Sequence, residues 1–180
     1  MESLQNIIEG CNRNDRISQE KLYRLLYPGL FSLCRKYFVC EQDIVTVVNN
    51  GMLNIFRNLG MYDVKKGDIF PWAYAIVKHA ALTYLRNKLN AKEKEHLNMD
   101  DCMDLPSPCN PIVSLASKDI YLYLSVLPAM TRTVCIMFYL DGFLVREIAA
   151  HFQISEGTVK WHLSEGRSIL KKAMKKKDAY

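Results

Sequence analysis

The stretch from Tyr139 to Lys177 constrains the chain most, because it reads as a helix, a tight turn and a second helix with opposite faces of opposite character. Leu144, Ile148 and Phe152 recur at helical spacing, and Ala149 is small enough for another helix to cross closely. The pattern breaks at Gln153-Ile154. Ser155 is placed to cap a following helix by accepting from its free backbone N–H groups, while Ile154 and Val159 occupy the two positions of a hydrophobic staple. A second helix is therefore expected from Glu156.

Along that helix Val159, Leu163, Gly166 and Leu170 share one face, and Lys160, Ser164, Arg167 and Lys171 share the other. The cations from Lys160 onward are Lys160, Arg167, Lys171, Lys172, Lys175, Lys176 and Lys177, and Glu165 is the one acid among them. A helix so charged, entered through a tight turn, is what lies in a DNA major groove. The plainer alternative is a solvated terminal helix on a small bundle.

At 180 residues and 49% hydrophobic, the chain can bury a core as one medium domain or two small ones. Lys and Arg number 24 against 19 Asp and Glu, a net +5 concentrated near the C-terminus, which suits a polyanionic partner such as nucleic acid. No apolar run approaches the roughly 20 residues that cross a bilayer, and MESLQNIIEG is too polar for a secretory signal, so a cytoplasmic protein with no membrane span is expected. Cys11, Cys34, Cys40, Cys102, Cys109 and Cys135 form no C-x-x-C pair and lie near no suitably spaced histidine. They read as reduced packing thiols, and neither a metal nor any other cofactor is expected.

Taken in order, the chain begins with a short helix candidate at Leu4 to Ile8, interrupted at Asn12-Arg13-Asn14. From Ser18 the set Leu22, Leu25, Leu26, Leu30, Leu33 and Tyr37 keeps helical spacing, with a kink or loosening expected at Pro28-Gly29. Gln42 to Asn58 predicts a second helix with Ile44, Val48, Met52 and Ile55 inward, and Gly51 as a weak spot or a close contact. Leu59 to Asp68 breaks the pattern and carries Gly60, Lys65, Lys66 and Gly67. A long helix follows through Leu89, in which Trp72, Ile76, Ala80 and Tyr84 line up, with Lys78, Arg86 and Lys88 on another face. A glycine-bearing basic loop beside aromatics is the composition that binds single-stranded DNA, where bases stack on rings and phosphates meet lysines. Phe70, Trp72 and Tyr74 can equally be core residues, and for Trp72 core packing is the better account.

Residues 90 to 118 change character: mixed charges, then Asp100, Asp101 and Asp104, then Pro106, Pro108 and Pro111. Such a segment buries little and bars long helices, so it reads as a flexible linker. An all-α chain of two small helical domains is expected, 1–90 and 118–180, joined by 91–117. In the second, Ile120 to Leu127 is a short helix, Pro128 suits a helix start, and Thr131 to Leu140 is a further helix stopped by Asp141-Gly142.

LPAMTRTVCIMFYLDGFLVREIAAHFQISEGTVKWHL at Leu127 to Leu163 and FPWAYAIVKHAALTYLR at Phe70 to Arg86 are the most specific segments, and in this order and spacing the chain resembles the sigma-70 family, in particular its small extracytoplasmic-function (ECF) group. The resemblance covers residues 18 to 90 and 118 to 175. It implies that the first domain is sigma region 2, which binds core RNA polymerase and captures the melted minus-10 element, and that the second is sigma region 4, which reads the minus-35 element as duplex. Carried over by position, Lys160, Trp161 and Ser164 would read bases, with Thr158, His162 and Arg167 nearer phosphates. Trp161 stands where the family has a small polar residue, and a buried indole is its other reading. Glu165 stands where a cation is common, so it either accepts from a cytosine amino group or turns to an arginine.

In the first domain the resemblance assigns minus-10 contacts to Lys65, Lys66, Phe70, Lys78, His79, Thr83 and Arg86, although the family often has Asn or Asp at His79 and Thr83, and His79 would need no function as a surface residue. Polymerase binding falls on Val47, Asn49, Asn50, Leu53 and Phe56. Thr46, Asn49 and Asn50 occupy positions usually filled by Asp, Gln and Glu, so polarity survives there while charge is lost. The implied function is promoter-specific transcription initiation, with core polymerase, promoter DNA and an anti-sigma factor as partners. No Ser/His/Asp grouping, phosphate loop or paired-carboxylate motif is present, so no catalysis is expected. The competing reading is a helix-turn-helix regulator whose first domain senses a signal or dimerises and does not bind core polymerase. A third is a decoy that only sequesters partners.

Overall fold

In the computed structural model, residues 3–94 and 123–177 are described, with side chains through 89 and from 123 to 175. Of the expected linker, the residues beyond 94 lie outside them, as do the start of the short helix at Ile120, Cys102 and Cys109, whereas 91–94 continue the helix that ends at Lys94. The chain divides between 104 and 105 into two compact units. Every regular element among the described residues is helical.

The first unit comprises α1 (Leu4–Asn12), α2 (Arg16–Tyr37), α3 (Glu41–Asn58) and α4 (Ile69–Lys94). Ser3 caps α1 by accepting from the Asn6 N–H, and α1 runs on to Asn12 before Asn14, at φ 62°, turns the chain. Asp15 caps α2 through the Ser18 N–H at 2.9 Å. Pro28 does not divide α2, which continues unbroken from Arg16 to Tyr37. Its inward face is Leu22, Leu26, Leu30, Leu33, Cys34 and Tyr37, each nearly inaccessible; Leu25, grouped with them by spacing, is 56% exposed. On α3, Ile44, Val48, Met52 and Ile55 are buried as their spacing predicts. Gly51 marks a close approach, because a Cβ there would lie 2.6 Å from Val77 Cγ2 on α4.

The α4 helix faces the core one position away from the expected stripe. Ile69, Ala73, Val77, Ala81 and Leu85 are buried, while Trp72, Ile76 and Ala80 are half-buried on its flank. Tyr84 and Lys88 anchor α4 to α3 through one carboxylate: Asp43 Oδ1 accepts from Tyr84 Oη at 2.9 Å, and Oδ2 meets Lys88 Nζ at 2.5 Å.

The second unit comprises α5 (Ala129–Cys135), a π-helical turn at Ile136–Leu140, α6 (Val145–Phe152) and α7 (Glu156–Lys177). The expected helix from Thr131 to Leu140 thus starts directly after Pro128 and widens at its end, before Gly142 at φ 73° reverses the chain. Val134, Ile136, Met137, Ile148 and Val159 form the core. Gly166 lets α7 seat against α5, since a Cβ there would lie 2.5 Å from Cys135 Sγ. Cys11, Cys34 and Cys135 are buried free thiols, and burial pushes the Cys34 thiol up to about 12, so they pack as apolar groups.

Candidate nucleic-acid interface

The turn between α6 and α7 is built as the residues predict. Gln153 takes the left-handed conformation at φ 57°, and the Ile154 N–H closes the end of α6 by donating to the Ala149 carbonyl at 3.1 Å. Ser155 Oγ accepts from the Thr158 N–H at 3.0 Å and lies 2.9 Å from Thr158 Oγ1. At the other end of α6 the expected face shifts: Ile148 and Phe152 are buried, but Leu144 precedes the helix and is 49% exposed. Its backbone N–H donates to Glu147 Oε2 at 2.8 Å, which is the half of a capping box that leucine permits.

On α7, Val159, Leu163 and Gly166 are buried and Leu170 is half-buried. Lys160, Ser164, Arg167 and Lys171 are exposed, so packing and outward faces divide as the spacing predicts. Trp161 is 58% exposed, which removes the buried-indole reading. His162 turns inward: its Nδ1 lies 3.0 Å from Thr131 Oγ1 on α5, and burial lowers its pKa. Thr158 is committed to the cap. The residues brought together on the open face are therefore Lys160, Trp161, Ser164 and Arg167, with His162 beneath them.

In the first unit, the residues expected to meet unpaired bases separate into two groups. A short turn at Val64–Lys66 is capped by Asp63, whose Oδ1 accepts from the Lys65 N–H at 2.9 Å, and leaves Lys65 and Lys66 exposed. Tyr62 closes this loop by donating to the Gly67 carbonyl at 2.8 Å, with its ring 5.4 Å from that of Trp72. From Trp72, helical spacing carries one stripe through Ile76, His79, Thr83 and Arg86, so the basic loop abuts the N-terminal end of that stripe. Trp72 is thus held by Tyr62 and half-buried. Phe70 and Lys78 belong elsewhere. Phe70 is 39% exposed, covers the bare backbone of Gly29 on α2, and lies 6.1 Å from the Tyr74 ring, whose hydroxyl receives Lys36 Nζ at 3.2 Å.

On α3, Asn49, Asn50 and Leu53 face outward, Leu53 at 46% exposure, and Phe56 is half-buried. Val47 does not join them. At 1% exposure it belongs to the core, because the position following Thr46 lies about 100° round the helix from the outward face. Sequence reasoning missed the neighbours of this face: Tyr23 Oη donates to Asn49 Oδ1 at 3.0 Å, and Tyr23, Tyr27 and Phe31 form an aromatic ladder on α2 with centroids 5.1 and 5.6 Å apart. Their i, i+4, i+8 spacing was visible in the sequence, but was masked by the leucine stripe on the same helix.

Among the described residues no cluster of His, Cys, Asp and Glu is arranged to hold a metal ion, and no helix is long and apolar enough to cross a membrane. Residues 22–90 match the family model "Sigma-70 region 2" and residues 117–170 match "Sigma-70, region 4", together more than half of the chain. The chain is 25% identical over 178 residues to the ECF RNA polymerase sigma factor SigW of Bacillus subtilis (strain 168), covering 93% of this chain and 95% of that protein. Two solved structures are similar at lower identity. One is the sigma factor RpoE of Bartonella quintana in complex with the anti-sigma factor NepR, 16% identical over 87% of this chain and 96% of that one, with a TM-score of 0.49. The other is CnrH in complex with the cytosolic domain of CnrY, 15% identical over 94% and 95%, with a TM-score of 0.45.

Proposed function

Because the chain belongs to the sigma-70 family, of the extracytoplasmic-function type, we propose that it binds core RNA polymerase in the cytoplasm and directs initiation at promoters it selects. Polymerase supplies the chemistry, and this chain supplies recognition. The observation that carries the reading is the pairing, in one chain, of a region 2 and a region 4 match with two physically different surfaces. On α7, Lys160, Trp161, Ser164 and Arg167 offer donors and an apolar ring from a rigid helix, the form that enters a major groove. On the first unit, Lys65 and Lys66 flank an aromatic pair and a polar stripe, a form suited to phosphates and unstacked bases. Asn49, Asn50, Leu53 and Phe56, beside Tyr23 and Tyr27, form the face for the polymerase. An anti-sigma factor is the further partner expected of such a chain.

Runoff transcription with purified core polymerase on a pool of upstream sequences tests the reading. Defined start sites that depend on this chain support it. Duplex binding without association with core polymerase would favour the helix-turn-helix regulator, and capture of partners without promoter-dependent RNA would favour the decoy.

A further inference from the structure

We infer that Glu165 reads a cytosine in the upstream duplex, with Trp161 reading the methyl group of a thymine within two base pairs of it. The inference rests on the proposed role of α7 in the major groove and assigns it a base preference.

Glu165 is the one acid from Lys160 to Lys177, and it stands half-buried on the side of α7 that Trp161 shares. A carboxylate carried toward DNA by a cationic helix is repelled by phosphate unless it meets a donor or a cation. Its own helix provides no cation at reach. The residues three and four positions away are Trp161, His162, Ser168 and Ile169, and His162 is the one titratable group among them. Its ring is turned to Thr131 and burial disfavours its charged form. Arg167, two positions on, lies about 200° round the helix, and Lys172 is two turns away, about 10 Å along the axis. No ion pair between Glu165 and a cation occurs among the described residues. The arginine reading of Glu165 is thereby removed, which leaves a carboxylate with acceptor capacity to spare.

The major groove presents two amino donors, and a carboxylate, which only accepts, matches the cytosine N4 amino group. Adenine adds an acceptor at N7 that would face a carboxylate unfavourably. One helical turn toward the N-terminus, the Trp161 indole offers an apolar face at 58% exposure, and the apolar group in the groove is the thymine methyl. The two side chains are four residues apart, about 6 Å along the helix, whereas successive bases on a strand are about 3.4 Å apart. The cytosine and thymine are thus near neighbours.

The test is selection of bound duplexes from a pool randomised across the upstream element, using the full chain assembled with core polymerase, for wild type, Glu165→Gln and Trp161→Ala. Wild type is expected to enrich cytosine at one position and thymine within two base pairs of it. Glu165→Gln should lose the cytosine preference by about tenfold and gain adenine there, because an amide pairs with adenine N6 and N7. Trp161→Ala should erase the thymine preference and leave the cytosine. Competition between single-base variants of the selected duplex gives the same comparison without selection. A wild-type motif that Glu165→Gln leaves unaltered at every position, with only tighter binding overall, overturns the inference and leaves the sigma reading standing. If wild type enriches no upstream motif at all, the sigma reading falls first and this inference with it.

Discussion

Thr131 Oγ1 and His162 Nδ1 meet at 3.0 Å and tie α5 to α7. Burial holds the His162 pKa below its ordinary value of 6.5, so the unfolded chain binds the proton more readily than the folded one. Stability from this group is therefore fully present above about pH 6.5 and is lost as the pH falls toward the depressed folded value. Urea unfolding at pH 7.5 and 5.5 should show a loss of stability at the lower pH that is smaller in His162→Gln. An equal loss in both proteins would remove His162 as a source of the pH dependence.

Gly166 and Gly157 lie on the same helix, and the same substitution should have opposite signs at the two. A Cβ at Gly166 meets Cys135 Sγ at 2.5 Å and Thr131 Cγ2 at 3.2 Å, so Gly166→Ala must push α5 and α7 apart, a cost of about 1 to 3 kcal/mol. At Gly157 the nearest atom is Ser155 Oγ at 3.4 Å, an ordinary contact, and alanine there gains helix propensity of up to about 1 kcal/mol. Thermal unfolding of the two variants should shift in opposite directions.

The sequence was most legible where one local rule had no competitor. Ser155, Ile154 and Val159 located the start of α7 because capping and stapling agree there, and the cationic face followed from a single unambiguous period. It was least legible where two apolar stripes run side by side. On α4, Trp72-Ile76-Ala80 and Ile69-Ala73-Val77-Ala81 are both apolar, and packing against α2 and α3, where Gly51 admits Val77, selects the second. Leu25 and Leu144 were misplaced for a related reason: spacing places a leucine on a helix face but not against a neighbour. Trp161 and Glu165 were ambiguous because their exposure depends on which residues of α7 are covered by α5, and those are His162 and Gly166.

Val47 and Leu53 separate stability from partner binding on α3. Val47 is 1% exposed, and Val47→Ala should lower stability by about 1 to 3 kcal/mol. Leu53 is 46% exposed, and Leu53→Asp should leave the unfolding midpoint nearly unchanged while reducing association with core polymerase at least tenfold. Measuring both variants by unfolding and by polymerase pull-down checks the pair. Retained association in Leu53→Asp would move the polymerase face away from α3.

Arg132 is a charge that the fold encloses without full compensation. It is 9% exposed, its Nε has no hydrogen-bond partner among the described residues, and burial lowers its pKa. Replacement of an uncompensated buried charge by an apolar side chain of similar length is often neutral or stabilising. Arg132→Met should leave stability unchanged or raise it by about 1 kcal/mol in urea unfolding. A loss of more than about 2 kcal/mol would show that the guanidinium is an integral part of the packing around α5.

Lys160 and the tail lysines should differ in kind if α7 lies in a major groove as proposed, because Lys160 is exposed near the start of that helix and the others follow at its end in the sequence. Lys160→Ala should weaken duplex binding by about 1 to 3 kcal/mol and change the preference at one base position, as expected of a contact to a base edge. Truncation after Ala173 removes Lys175, Lys176 and Lys177, three cations that, on the proposed reading, would neutralise phosphates. It should flatten the dependence of log affinity on log salt by up to about 2.7, from 0.9 per phosphate contact, without altering which sequence is chosen. Titrations of selected and scrambled duplexes at several salt concentrations distinguish the two. If Lys160→Ala weakens both duplexes equally, Lys160 is a phosphate contact; if truncation shifts the chosen sequence, the end of α7 takes part in base reading.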